Sequence, residues 1–432
     1  MKDEFVSIKD IMEGKHTGER VKVRGWIYRT RGTKKLRFIV LRNVTGIIQV
    51  TVVKGEVPDE DFRDADKALV ESSLWVEGVV RKDERAPGGY EILAERVHII
   101  HFAEVFPITK DKSDEFLMEV RHLWLRSRQM TETLKVRSEV FKLFREFFLE
   151  RGFYEAHSPI FVTGACEGGS TLFPVKYFGK EVYLTQSWQL YAEAMIYSLE
   201  RIFTVAPSFR AEKSRTRRHL TEFWHGEVEA AWMGNEEMMK LEEEMMEYIL
   251  RGVLRRRRDE LEFLGRDPKR LEEISPPFER VPYRKVLEIL QEKGFEMKWG
   301  DDLGYEEEKA LTEDFTQPFF ITQFPRTKGF YHRPDPENPE VLLCHDMLAP
   351  EGYGEIIGGG ERIWEKDVLI ERIREFGLDP ENYEWYIDLR RYGSVPHSGF
   401  GLGMDRFVTW LADLKHIKYA IPFPRTIRRV TP

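Results

Sequence analysis

Residues 209–229, FRAEKSRTRRHLTEFWHGEVE, set Arg210, Arg215, Arg217 and Arg218 among glutamates and aromatic rings instead of on a plainly solvated run. The planar arginine fork matches phosphate and carboxylate oxygens, so this stretch calls for an anion. Arg210 and Glu212 stand two residues apart, which on a strand places both on one face; that face then lines a polar cavity or carries an exposed ion-pair ladder. A second anion site is suggested by SGFGLGMDRFVTWLADL (398–414), where small residues lead into an amphipathic helix with Arg406 in its first turn. Its GxGxG opens no strand–helix–strand unit, so a dinucleotide-binding reading fails on context. In HDMLAPEGYGEIIGGGERIWE (345–365), Asp346 and Glu355 lie near a glycine run and Arg362. They could join a divalent metal to a polyphosphate, or the stretch could be only a turn. Cys166 and Cys344 stand alone, without zinc-ligand spacing or a disulfide framework.

The elements that must position these residues follow from patterning. A chain of 432 residues predicts two or three domains, and 41% hydrophobic residues suffice for a core. Five short alternating runs between 20 and 100, VKVRGWIY, RFIVLRN, GIIQVTVV, SLWVEGVVR and YEILAERVHII, predict a small barrel, for which the OB fold is one solution. Nine basic residues fall between Arg20 and Arg42, and after Arg20 no acid interrupts them; Trp26, Tyr28 and Phe38 are interleaved. That composition fits a groove tracking a phosphate backbone with rings stacked on bases, or a solvated strand face with Trp26 in the core. Residues 104–130 break the β pattern and read as a hinge. An amphipathic helix follows over 134–151, with Val140, Phe144, Phe147 and Phe148 at helical spacing and Gly152 at its end, and a strand runs on towards Pro159.

Farther on, SFRAEKS and LTEFWHGEVEAAW predict an antiparallel hairpin around the polar loop SRTRRH. Residues 235–264 read as a second long helix, its RRRR at 255–258 a solvated face near the C-terminus, and 265–340 as loop-rich. The formal net charge of −8 argues against an indiscriminate polyanion binder, although it says nothing about one face. The N-terminal segment lacks an apolar signal core and no run of about 18 uncharged apolar residues occurs, so the expectation is a cytoplasmic protein with no membrane partner.

Taken together and in order, these stretches resemble the class II aminoacyl-tRNA synthetases of the aspartate, asparagine and lysine subgroup: the helix, strand and Pro159 resemble motif 1, FRAEKSRTRRHLTEF motif 2 and GFGLGMDRF motif 3. The resemblance covers essentially the whole chain. It implies an α+β protein: an N-terminal OB-fold β-barrel that binds the anticodon (1–103), a hinge (104–130), and a class II catalytic domain (131–432) with an antiparallel sheet flanked by helices. In that chemistry an amino acid carboxylate attacks the α-phosphate of ATP, which requires alignment and charge neutralisation instead of a protein nucleophile.

By the resemblance, Arg210 and Arg406 are the catalytic cations, on the α-phosphate and on the γ-phosphate of a bent ATP. Arg218 and His219 lie near the outer phosphates, Glu212 and Phe223 meet adenine, and Asp346 and Glu355 hold Mg²⁺, although a serine often occupies the place of Gly358 in aspartate enzymes. Glu167 on TGACEGG meets the α-ammonium; Ser187, Gln189, Glu227 and Arg362 complete the amino acid site. Phe38 stacks on the central anticodon base, Gln49 reads its edge, and Arg31 lies beside the backbone. Motif 1 implies a homodimer, with the Phe-rich helix face as the apolar contact.

Ala192 in QSWQLYA replaces the lysine of QSPQLYK in aspartate enzymes, and Glu227 replaces a shorter Asp, so L-asparagine and tRNA(Asn) are the expected substrates beside ATP. The alternatives are an aspartate enzyme, including one that charges both tRNAs, and an asparagine synthetase built on the same domain. The N-terminal barrel argues against the latter, since amination needs no anticodon reader. A nucleic-acid-binding protein without catalysis would leave Arg210, Glu212 and Arg406 unexplained.

Overall fold

The structure, a computed structural model, describes residues 5–109, 113–164, 171–214 and 216–432. They divide into two compact units, Met1–Met118 and Glu119–Pro432.

In the first unit, β1 (Arg20–Thr33), β2 (Leu36–Asn43), β3 (Gly46–Val53), β4 (Ser73–Lys82) and β5 (Tyr90–His101) close into a barrel in the order β1-β2-β3-β5-β4. The runs that alternate in the sequence are these strands, because period-2 alternation is what a barrel wall with one inner face requires. Val21, Val23, Ile39, Leu41, Ile48, Val50, Leu74, Val76 and Ile92 fill the interior, joined by Phe62 and Ala65 of the helix Asp59–Lys67. Trp26 is 44% exposed, so the reading that put it in the core fails. The alternation seats Val23 and Ile27 inside instead, and a register shift between Ile27 and Arg29 lets β1 continue past its expected end.

The second unit is built on an eight-stranded sheet. In chain order its strands are β6 (Tyr154–Glu155), β10 (Arg201–Phe209), β11 (Glu222–Ala231), β12 (Glu279–Pro282), β13 (Phe319–Thr322), β14 (Cys344–Ala349), β15 (Gly354–Glu361) and β16 (His397–Gly403). They lie side by side in the order β12-β13-β14-β15-β16-β11-β10-β6. A small separate sheet holds β7 (Phe161–Val162), β8 (Pro174–Tyr177) and β9 (Lys180–Leu184). The central strands pair antiparallel, as expected, but both ends are parallel, β12 with β13 and β6 with β10, so the sheet is mixed.

One face of that sheet is closed by the helix Arg128–Glu150. Phe144, Phe147 and Phe148 are fully buried, and the Phe148 ring centroid lies 5.5 Å from Phe203 on β10 and 6.3 Å from Phe400 on β16. Gly226 on β11 permits this approach: a Cβ there would stand 2.7 Å from Phe144 Cζ. The Phe-rich face is therefore domain core and not the dimer contact expected from the sequence.

Other expectations change in detail. The 104–130 segment contains helices at Asp114–Glu119 and Arg121–Trp124, too short for a periodicity signal. The loop-rich 265–340 region holds β12, β13 and the helices Tyr283–Glu292 and Tyr305–Thr312, whose patterns are interrupted by prolines and acidic runs. The arginines at 255–258 are only partly a solvated face, since Arg256 and Arg257 of the helix Asn235–Leu264 grip buried Glu139 at 2.7 and 3.2 Å. The hairpin strands are RIFTVAPSF and EFWHGEVEAA, so Arg210 and Glu212 lie just beyond β10. Pro207 sits within β10 where only β11 among the described strands pairs with it, leaving its missing N–H on the unpaired side.

Candidate active site

The sheet face opposite the phenylalanines forms a cleft of about 1090 Å³, part of it open to solvent. Phe223, His225, Glu227 and Glu229 alternate along β11 and all line it. Facing His225, Glu227 and Glu229 across the antiparallel ladder are Gly403, Gly401 and Gly399 of β16. The β11 side chains lean over this glycine track: a Cβ at Gly399 would collide with Glu229 Oε2, and one at Gly401 would touch Glu227 Cγ at 3.6 Å. The GxGxG is thus the cleft floor, a strand leading into the helix Met404–Leu411 that carries Arg406.

The cleft also gathers Ser187, Gln189, Arg210, Glu212, Arg218, His219, Asp346, Glu355, Arg362 and Arg406. The structure thus brings together the residues expected for ATP and amino acid, apart from Glu167, which lies outside the described residues, as does Arg215. Arg217 is exposed and does not line the cleft, so of the four quoted arginines the structure places Arg210 and Arg218 there. The HDMLAPEGYGEIIGGGE stretch is more than a turn: it is the β14–β15 hairpin in mid-sheet, with Asp346 opposite Gly358.

At one end the cations rest on acids. Arg406 Nη1 donates to Glu355 Oε2 at 2.8 Å, and Arg218 donates to Glu308 Oε2 at 2.6 Å and to the Glu355 carbonyl at 3.1 Å. Lys328 pairs with Asp346 Oδ2. Burial alone would raise the Glu355 pKa, but Arg406, Lys328, Arg218 and Arg210 overcome it and hold the carboxyl at about 2. Asp346 goes the other way, pushed up to about 7 by burial and by the Glu355 charge against the pull of Lys328. Both carboxylates converge above Gly358, where Asp346 Oδ1 and Glu355 Oε1 each stand 3.3 Å from the position a Cβ would take. Phe223 offers a ring face with the Arg210 guanidinium 5.5 Å from its centroid and the His225 ring edge-on at 4.7 Å. Glu212 lies 3.6 Å from His219 Nε2.

At the other end, Glu227 accepts from the Ser187 hydroxyl at 2.5 Å and from the Trp188 amide at 3.1 Å. Arg362 grips Glu229 through Nε and Nη2 at 3.2 and 3.1 Å; burial works against its charge, and Glu229 more than offsets it, so its pKa is raised. Ala192 does not line the cleft. It is fully buried against Trp188, Ile196, Ile202 and Ala231, so any effect of a longer side chain there passes through that packing.

The sequence reading missed several residues here, among them Lys328, which lines the cleft, and Glu308, which holds Arg218. Lys328 belongs to no pattern that marks it out, whereas Glu229 ends the acidic EVE and shares the strand face of Glu227. Glu308 looks like solvent charge in YEEEKALT, yet Glu308, Leu311 and Thr312 are its buried residues, an i, i+3, i+4 stripe that was legible.

In the barrel, Arg31 pairs with Phe38 across β1 and β2, its guanidinium 5.3 Å from the ring centroid. Phe38 is half-buried and opposite Thr51, which puts Gln49 on the same face. Gln49 is buried and donates to Glu91 Oε2 at 3.1 Å, while Thr51 donates to the same oxygen at 2.6 Å. Glu91 is therefore a fourth polar member of this patch that the sequence reading missed.

Comparison with known proteins agrees with this geometry. Residues 113–427 match the family described as tRNA synthetases class II (D, K and N), and residues 21–100 match the OB-fold nucleic acid binding domain. The asparagine–tRNA ligase of Thermoplasma acidophilum is 51% identical over 429 residues, 99% of this chain and 100% of the relative. That of Thermococcus gammatolerans is 52% identical over 98% of each chain. Among solved structures, asparaginyl-tRNA synthetase from Pyrococcus horikoshii complexed with asparaginyl-adenylate superimposes with a TM-score of 0.95 at 48% identity, covering 100% of both chains. An aspartyl tRNA synthetase from Entamoeba histolytica reaches 0.85 at 25% identity, over 100% of this chain and 94% of that one.

His219 gives a measurable test of the cleft's electrostatics. Burial, with Arg406 and Arg218 adding to it, lowers its pKa to about 4. Between about 4 and the ordinary 6.5 the unfolded chain holds more protons on this group than the native one, so its contribution to stability grows as pH rises through that window. Histidine NMR titration is expected to find His219 neutral down to about pH 4; a midpoint near 6.5 would refute the arrangement.

Proposed function

The chain belongs to the class II tRNA synthetases of the D, K and N group, and from that premise we propose that it activates L-asparagine with ATP and transfers it to tRNA(Asn). What carries the choice within the group is the extent of the similarity: relatives near 50% identity over nearly the whole chain are asparagine–tRNA ligases. In the first step an asparagine carboxylate oxygen attacks the α-phosphorus of ATP, the α–β phosphoanhydride bond breaks, and pyrophosphate leaves. In the second, a ribose hydroxyl of the terminal tRNA adenosine attacks the adenylate carbonyl and AMP leaves.

Arg210 is assigned to the α-phosphate, where charge develops as the fifth bond to phosphorus forms. Arg218, His219 and Arg406 are assigned to the outer phosphates and Glu212 and Phe223 to adenine. In support, the side-chain partners of Arg218 and Arg406 are carboxylates, Glu308 and Glu355, which a polyphosphate would replace. Asp346 and Glu355 fit Mg²⁺: two converging carboxylates, with no group of three or more ligating side chains among the described residues, suit an ion that completes its shell with phosphate and water. When bound, that ion supplies positive charge between the phosphates.

Ser187, Gln189, Glu227 and Arg362 are assigned to the amino acid, with Glu227 accepting from the side-chain NH₂, and Glu167 to the α-ammonium. The aspartate reading is disfavoured because two Arg362 nitrogens are already committed to Glu229. Arg31, Phe38 and Gln49 are assigned to the anticodon. Among the described residues no helix is long and apolar enough to cross a membrane, which accords with a cytoplasmic enzyme.

A homodimer is also proposed, on a surface different from the phenylalanine face. Tyr154, Ile160, Phe161 and Tyr177 are each more than two-fifths exposed and Phe178 is 94% exposed, an apolar set beside the motif 1 strand. Light scattering is expected to give twice the 51.1 kDa chain mass, and a monomer at micromolar concentration would refute it.

Amino-acid-dependent ATP–pyrophosphate exchange tests the main assignment. Wild type is expected to prefer asparagine over aspartate by about 10⁴-fold, the scale set by leaving buried polar groups unpaired, and Glu227→Gln to narrow that preference. Equal exchange with aspartate would overturn the reading. The barrel is tested separately: Phe38→Ala is expected to lower tRNA charging by about 1–3 kcal/mol, the worth of one stacked base, with exchange unchanged. An equal fall in both assays would give the barrel a supporting role in catalysis instead of an RNA-reading one.

A further inference from the structure

Glu193 has no part in the assignments above, yet it is among the most constrained side chains of the unit. It lies on the helix Gln189–Leu199 and is fully buried. Its Oε2 accepts from the Tyr386 hydroxyl at 2.7 Å and from the Arg390 guanidinium, and faces His397 Nε2 at 3.0 Å. Its Oε1 accepts from Gln189 Nε2 at 3.0 Å. We propose that Glu193 is a positioning residue that locks the Gln189 amide with its carbonyl oxygen, not its NH₂, turned towards the α-ammonium of the amino acid. The proposal rests on the asparagine-activating reading.

An ionised carboxylate can only accept hydrogen bonds, whereas a glutamine amide has a donor end and an acceptor end. Turned by half a rotation, Gln189 would set its oxygen against Glu193 Oε1, two acceptors facing each other in a dry site. Glu193 therefore dictates which end of the amide faces the cleft. Burial would favour its neutral form, but Arg390 and His397 prevail and its pKa is lowered, so the acceptor-only state persists. Gln189 lines the cleft, and its carbonyl oxygen has no hydrogen-bond partner among the described residues. An acceptor is thus presented to the ligand. Asparagine brings two donors, the side-chain NH₂ and the α-ammonium; with Glu227 taking the first, the carbonyl of Gln189 falls to the second. The reversed amide would direct N–H groups at a cation.

The experiment compares wild type, Glu193→Gln and Glu193→Asp in ATP–pyrophosphate exchange. It measures KM for asparagine, KM for ATP, and the inhibition constant of 3-carbamoylpropanoate, which is asparagine without its α-amino group. Gln offers Gln189 a donor as well as an acceptor and lets it turn. Asp keeps the charge beside Arg390 but is one methylene short of Gln189, so it carries the test if Glu193→Gln does not fold. Both variants are expected to raise KM for asparagine about tenfold or more, leaving KM for ATP and the inhibition by 3-carbamoylpropanoate near wild type. In a Gln189→Ala background the further change Glu193→Asp is expected to add nothing. Equal weakening of asparagine and of the analogue would overturn the proposal, because it would mean a collapsed pocket and not a lost ammonium acceptor; an unchanged KM for asparagine would overturn it too. Failure of the underlying reading is distinguishable, since wild type itself would then not exchange with asparagine.

Discussion

Asp405 is the point on which the catalytic geometry depends. It is almost fully buried, accepts from the Trp224 amide at 2.8 Å on β11, and pairs with Arg137 of the helix Arg128–Glu150. One carboxylate thus joins the helix of motif 1, the strand of motif 2 and the helix that opens with motif 3. Its sequence neighbour is Arg406, and the neighbour of Trp224 is Phe223, so the separation of these two residues, proposed above for phosphate and adenine, is set through this group. Burial pushes the Asp405 pKa up, with Arg137 and the Trp224 amide opposing, and removing any one partner would strand the others in a dry interior.

The same constraint runs through the cleft. Taking charges out of water is tolerable only if each has a partner, and adenylation needs many charges because its transition state is stabilised electrostatically, without a protein base. The sheet meets both demands by alternation. Along β11, Gly226 lies against Phe144 and Trp224 against Phe141 on one face, while Phe223, His225, Glu227 and Glu229 line the cleft on the other, the last three opposite glycines of β16. In the cleft, Arg406, Arg218 and Lys328 rest on Glu355, Glu308 and Asp346. Perturbed pKa values here record that balance: Glu355 is held down to about 2 while Asp346, short of compensation, rises to about 7.

This division also explains what could be read in the sequence. The barrel strands were legible because short β-prone runs are broken by Gly, Thr, Pro or charge, and the long helices because their apolar spacing persists for many turns. The cleft was legible where several charged residues crowd into a short stretch, as around Arg210 and Arg218. Lys328 and Glu193 were not, because their significance lies in partners elsewhere along the chain: Lys328 with Asp346, Glu193 with Arg390 and His397. The helix face of Phe144, Phe147 and Phe148 was legible as apolar but not as to what covers it, since periodicity marks a buried stripe without naming the partner; the sheet covers it.

The amino acid end then suggests why an amide suits this cleft better than a carboxylate. A carboxylate side chain needs donors or cations that are not yet spoken for, and the cationic groups nearest by are committed: Arg362 to Glu229 through two nitrogens, Arg390 to Glu193. An amide needs one acceptor and one donor. Glu227 is an acceptor fixed in place by the Ser187 hydroxyl and the Trp188 amide. Changing Glu227 from acceptor to donor would not convert such a site to aspartate, because Arg362 and Arg390 would still be held by Glu229 and Glu193. In this reading, discrimination between an oxygen and an NH₂ belongs to the whole buried ion-pair network, and Glu227 is only its visible edge.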